Sequence, residues 1–183
     1  RGINLPWTTF CKKALLWLKE LSKEQPLIKS YLHLRDQFTQ EIIKVNGEIF
    51  DYVEQDEHAQ LLMTIPGIGP RRALELLAEI GEWDRFPDSD KLCCYAGLVP
   101  SVRQSGSTLK FGGLIKQANT SIKYVLVEAS WNIVRTKESN SLQEFYKKLA
   151  KKKGKQKAIC ATARKLCCVV YAMLRKQQPF MFL

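Results

Sequence analysis

Three serines, Ser101, Ser105 and Ser107, lie in one short stretch with Arg103, Lys110 and Lys116. A serine that precedes glycine, as in Ser105-Gly106, can sit exposed on a tight turn with its hydroxyl free to act as a nucleophile. Cations beside it would stabilise the charge that develops on an attacked phosphodiester. A Ser-Gly pair equally suits a turn that does no chemistry. Other catalytic arrangements fit the sequence poorly. Residues 91–183 offer only Glu128, Glu138 and Glu144 as carboxylates, too few for a two-metal phosphoryl-transfer site, so no metal is assigned to this chain. His33 and His58 fall in helical segments away from the serines, which disfavours a Ser-His-Asp triad. The cysteines (Cys11, Cys93, Cys94, Cys160, Cys167, Cys168) form two adjacent pairs and no C-x-x-C, and read as small core hydrophobes in a reducing cytoplasm.

Phosphate binding has two further candidate sites. Residues 61–81 contain Ile65-Pro66-Gly67-Ile68-Gly69-Pro70 followed by apolar positions Ala73, Leu76, Leu77 and Ile80, the pattern of a helix-hairpin-helix. Gly67 and Gly69 permit positive φ and carry no side chain, so backbone N–H groups and the positive end of the second helix could approach a phosphate. Ile68 would point inward to lock the two helices, and Arg71 and Arg72 would flank the anion. The same string also suits an αα-corner without a ligand. The second site is a run of seven lysines within residues 147–157, interrupted by Gly154. Of these, Lys151, Lys152, Lys153 and Lys155 are candidates for a rim that tracks a phosphate backbone, as opposed to a merely solvated surface.

Charge supports the first reading. Residues 1–90 hold 11 Lys+Arg against 15 Asp+Glu, whereas residues 91–183 hold 18 against 3. That surplus exceeds what solubility needs and is the footprint of a polyanion partner. The longest apolar run, Leu166 to Leu174, is well short of a membrane span, and no signal-type segment opens the chain.

The elements that must position these groups are nearly all helical. The chain starts at Arg1 without an initiator Met, which suggests a piece of something longer. Apolar positions at helical spacing predict a first helix over Phe10 to Leu21, broken at Gln25-Pro26. The series Leu27, Tyr31, Leu34, Phe38, Ile42, Val45, Ile49, Tyr52 then predicts a helix of about 30 residues, some 45 Å long at 1.5 Å per residue. Together they form an antiparallel coiled-coil arm at 1–57, expected to pair with a second copy. A compact helical domain at 58–183 follows, with a short helix over Ser89 to Ala96, a serine loop or weak hairpin at 98–113, and helices around Ile122–Ile133, Leu142–Leu149 and Ile159–Leu174. The fold class is thus mainly α.

In this order the motifs LMTIPGIGPRRALELLAEIG (62–81), YAGLVPSVRQSG (95–106) and FGGLIKQ (111–117) resemble the carboxy-terminal transposase domain of the insertion-sequence family related to the Piv-type DNA invertases, the IS one-ten group. The resemblance covers about Leu61 to Leu174. Family members join a RuvC-like domain bearing four acidic metal ligands, a coiled-coil region and this domain. The resemblance implies DNA strand exchange through a serine-linked phosphodiester, with Ser105 as the nucleophile of the Pro-x-x-x-x-Ser-Gly pattern at 100–106. It also implies a structured bridge RNA that guides target and donor choice, Mg2+ in the RuvC-like domain, and a bacterial or archaeal cytoplasmic, nucleoid-associated setting. This sequence departs from the family in having no acidic domain, so alone it is expected to bind DNA without cleaving it. The competing readings are a non-catalytic helix-hairpin-helix module of a repair protein and a basic RNA-binding assembly protein.

Overall fold

A computed structural model of the chain describes residues 11–105, 108–137 and 139–181, with backbone only for 103–105 and 108–111. The architecture is mainly α, and the chain divides into two units, residues 1–48 and 49–183.

In the first unit, α1 (Lys12–Leu21) is capped by Cys11, whose sulfur accepts from the Ala14 N–H at 3.4 Å. The second helix, α2, spans Pro26–Gln55 and opens on proline, a residue that loses no needed N–H at that position. Its 30 residues match the length expected from the apolar series. A shallow cleft lined by Lys12, Leu15, Leu16, Lys19 and Arg35 marks where α1 folds back beside the early turns of α2. Short as it is, α1 leaves the seam of α2 uncovered. From Leu27 through Tyr31, Leu34, Phe38 and Ile42 to Val45 the side chains are 46–67% exposed.

The second unit begins in the last turns of α2, where Val53 is buried. Polar caps then start helix after helix, each satisfying an otherwise orphaned N–H. Asp56 caps α3 (Glu57–Met63), Asp88 caps α5 (Ser89–Tyr95), Asn119 caps α6 (Thr120–Arg135) and Asn140 caps α7 (Ser141–Lys153), with side-chain oxygens 2.8–3.1 Å from the N–H they receive. Asn119 also donates to Glu79 Oε2 at 2.6 Å, which ties the start of α6 to α4 (Pro70–Ile80). The core is organised by α8 (Lys155–Lys176), which packs against α3, α5, α6 and α7. Because it is surrounded, burial extends beyond one apolar stripe: Ala158, Thr162, Tyr171 and Met173 are buried beside Ile159, Ala163, Leu166, Cys167, Val170 and Leu174. Tyr171 donates its hydroxyl to Phe86 O at 2.8 Å, satisfying the one polar atom that this aromatic brings inside.

The stretch read as a loop or weak hairpin is a two-stranded antiparallel hairpin, β1 (Pro100–Ser105) and β2 (Thr108–Leu114). Its register runs from Ser105 opposite Thr108 to Pro100 opposite Leu114, with a bulge between Pro100 and Val102. Three residues of β1 there face four of β2, and the extra residue falls at Gly112-Gly113. A Cβ at Gly112 would collide with the Ser101 hydroxyl, so glycine at that position lets the strands close. Among the described residues no helix is long and apolar enough to cross a membrane.

Candidate nucleic-acid interface

The α3–α4 turn is built from the inside outward. Ile65 and Ile68 are buried, as a locking role requires, and the Ile68 N–H bonds Ile65 O at 3.0 Å. Gly67 has φ +90°, a left-handed value that disfavours any side chain. It is also pressed against α6, where a Cβ would stand 2.7 Å from Asn132 Cβ. Gly69 departs from the expectation of positive φ. It is extended, at φ −94° and ψ 179°, and a Cβ there would meet nothing within 4 Å. What Gly69 contributes is bareness: no side chain caps α4, and Pro70 occupies its first turn.

The two glycines therefore separate experimentally. Gly67→Ala should lower stability by about 1–3 kcal/mol through backbone strain and the Asn132 collision. Gly69→Ala should leave the thermal midpoint unchanged and weaken nucleic-acid binding alike across sequences, since backbone amides would meet phosphate, not base edges. Thermal melts and fluorescence anisotropy read the two effects independently, and a destabilised Gly69→Ala protein would contradict this geometry.

The arginines beside the turn differ. Arg71 is exposed, whereas Arg72 is engaged within the fold. Arg72 bonds Glu75 at 2.8 Å, lies 3.7 Å from Glu128 and sits 4.8 Å above the Tyr124 ring. The Glu75 carboxylate holds its guanidinium above the usual arginine range. Arg72 thus meets a ligand only by exchanging these partners.

Ser105 is the final residue of β1. Its side chain and those of Arg103 and Lys110 lie outside the described residues, as do Gly106 and Ser107. The backbone register pairs Arg103 with Lys110 and Ser105 with Thr108. Lys116 is exposed just beyond β2.

The lysine run flanks Gly154, whose φ of +82° ends α7 and starts α8 in a single residue. Lys151, Lys152, Lys153 and Lys155 are all exposed. Cations in the last turn of α7 complement its negative end. At the start of α8 the logic reverses. Lys155 and Lys157 stand at a positive helix end that has no acidic residue in its first turn and no side-chain cap.

One cleft, about 530 Å³ in volume, unites two of these parts. One wall comes from the base of the hairpin (Leu98, Pro100, Gly112–Leu114), the other from Lys153, Gln156, Lys157, Cys160 and Arg164. Arg164, Gln156 and Cys160 carry no sequence signal as site residues, because only the packing of α8 beneath the hairpin brings them there. Arg164 also bonds Asp90 at 3.0 Å, and that carboxylate keeps the guanidinium above its ordinary range. The α3–α4 turn lines no part of this cleft and packs instead on α6. No group of three or more His, Cys, Asp or Glu among the described residues could hold a metal ion. Cys93 and Cys167 are buried in the core, with the Cys93 thiol 3.7 Å from that of Cys168 and donating to Arg164 O at 3.6 Å.

The helical domain, its hairpin and its lysine-rich helix junction fall within the part of the chain that comparison with known proteins matches to transposases. The model of the transposase IS116/IS110/IS902 family matches residues 59–147, from α3 through the hairpin into α7. The pilin gene-inverting protein of Moraxella bovis is 33% identical over 182 residues, covering 89% of this chain and 53% of that protein. The transposase for insertion sequence element IS1111A of Coxiella burnetii is 26% identical over 149 residues (76% of this chain, 41% of that protein). The transposase for IS1328 of Yersinia enterocolitica is 25% identical over 185 residues (98% and 55%). The chain spans about half the length of these relatives. It belongs to the IS116/IS110/IS902 transposase family.

Proposed function

We propose that this chain is the DNA-binding, nucleophile-bearing part of an insertion-sequence transposase or site-specific DNA recombinase. The observation that carries the reading is the reversed charge at the start of α8. Lysines that oppose a helix dipole cost stability, and a polyanion at that end would turn the cost into a gain. The α3–α4 turn would act as a helix-hairpin-helix, holding phosphate at the bare N-terminus of α4 with Arg71 beside it.

In the proposed reaction the Ser105 hydroxyl oxygen bonds to phosphorus and the phosphorus–oxygen bond to one sugar breaks. The serine proton passes to a base, and the departing sugar oxygen takes up a proton. Arg103, Lys110 and Lys116 would hold the charge that builds on the phosphoryl oxygens. The base and the Mg2+ ligands would come from carboxylates of a RuvC-like domain in the complete protein. A structured bridge RNA would choose the DNA partners. The direct test uses the 183-residue chain itself, which should bind DNA with a steep salt dependence and leave it uncut. Salt-insensitive binding, or none, would refute the reading.

The arm would pair copies of the protein. A seam of six large apolar side chains, each 46–67% exposed, is what a partner helix covers in a coiled coil. Phe38→Asp combined with Ile42→Asp should turn an associating chain into a monomer, read by light scattering after size exclusion. An unaltered chain that stays monomeric at high concentration would remove this part of the proposal.

A further inference from the structure

The cleft between the hairpin base and α8 has two unlike walls, and that asymmetry is informative. Leu98, Pro100 and Leu114 make one wall apolar, while Lys153, Lys157 and Arg164 make the other cationic. Lys157 and Arg164 are seven residues apart on one face of α8, so their charges are spread over about 10 Å and do not converge on a single anion. A nucleotide strand has this chemistry, with an apolar base and sugar on one side and a line of phosphates on the other. At about 530 Å³ the cleft falls within the ~300–1,000 Å³ range of small-ligand sites, too small to admit a duplex.

Gly113 supplies an independent observation. Its neighbour Gly112 is needed so that Ser101 can fit, but a Cβ on Gly113 would meet nothing within 4 Å and its φ is not left-handed. A side chain would therefore have room at this point in the cleft wall. A bare strand backbone does let another backbone come close. Arg164 is free to take part: its bond to Asp90 joins side chains that are 40% and 70% exposed, a screened pair that a phosphate can displace.

We propose that this cleft seats one unpaired nucleotide of the DNA strand on which Ser105 acts, with Lys157 and Arg164 as positioning residues for its phosphates. The inference deepens the function proposed above and rests on it. Cys160 lies in the cleft lining and reports on occupancy, whereas Cys94 is exposed on α5 and takes no part in that lining.

The test is made on the 183-residue chain with a short single-stranded oligothymidylate, its duplex with oligodeoxyadenylate, and an oligouridylate. Saturating oligothymidylate should slow iodoacetamide alkylation of Cys160 severalfold and leave Cys94 unaffected, with both sites resolved by mass spectrometry. Lys157→Gln and Arg164→Gln should each reduce the salt slope of oligothymidylate binding by about 0.7, which is about fivefold in affinity at 0.1 M salt. Gly113→Val should weaken binding while the thermal midpoint holds or rises, since a β-branched residue suits a strand. That opposition of signs is not expected of a residue with a purely structural role. Tight oligothymidylate binding with Cys160 unprotected, or Cys160 protected as well by the duplex or by oligouridylate as by oligothymidylate, would each overturn the assignment and leave the proposed function standing. A chain that binds none of the three would overturn both.

Discussion

Ser105→Ala in the complete protein should abolish strand exchange and leave DNA affinity essentially unchanged. Removal of a nucleophile from a site whose other members remain costs about 10⁴-fold or more in rate. The hydroxyl contributes little to binding because the surrounding cations, not the serine, neutralise phosphate. Ser101→Ala and Ser107→Ala should be much milder. For Ser101 the structure supplies a reason, since its hydroxyl fills the space left by the missing side chain of Gly112 at the strand bulge, away from the turn end of the hairpin. Trapping the reaction, digesting the protein and finding a nucleotide adduct on the peptide that contains Ser105 would confirm the assignment. An adduct elsewhere, or full recombination by the alanine variant, would refute it. A non-catalytic DNA-binding module predicts no adduct and no effect of the substitution.

Replacing Lys151, Lys152, Lys153 and Lys155 by glutamine should have the largest effect on affinity. Each duplex phosphate that goes without its lysine lowers the logarithmic salt slope by about 0.9, which is about eightfold in affinity at 0.1 M salt. Three such phosphates amount to about 500-fold, and the loss should be uniform across DNA sequences. Stability should move in a characteristic way. Lys151, Lys152 and Lys153 favour the negative end of α7, so their loss is mildly destabilising, whereas loss of Lys155 relieves the positive end of α8. A variant whose salt slope is unchanged, or whose affinity falls for one DNA sequence only, would show that these lysines do not track the backbone.

The helices are legible in the amino-acid order because their signals are local. Apolar periodicity, polar caps three residues before the N–H they serve, and Gly154 between two amphipathic runs each act over a few positions, and α2, α5, α6, α7 and α8 lie where these features put them. The hairpin is less legible. Val102 and Phe111 flank a Ser-Gly-Ser turn without clean alternation, and the bulge at Gly112-Gly113 shifts the pattern by one residue. Gly69 departs from its expected backbone for a different reason. Glycine is compatible with almost any backbone angle, so its presence indicates that something small is needed without saying whether the need is conformational or steric. The cleft is not legible at all. It depends on packing between residues near 100 and residues near 160, and no local pattern encodes that distance.

The position of α8 bears on how the molecule is made. It comes after every helix that it packs against, and it supplies the middle of their shared core. At a synthesis rate of about 5–20 residues per second, α3 to α6 are out of the ribosome for several seconds with their apolar faces unpaired before Leu166, Val170 and Leu174 arrive. Pairings of such long sequence separation form late, and apolar surface left exposed during that interval is open to aggregation. The last residues to complete the core share a helix with the cations that line the cleft, so a chain interrupted before α8 lacks both the middle of its core and the cationic wall of the cleft.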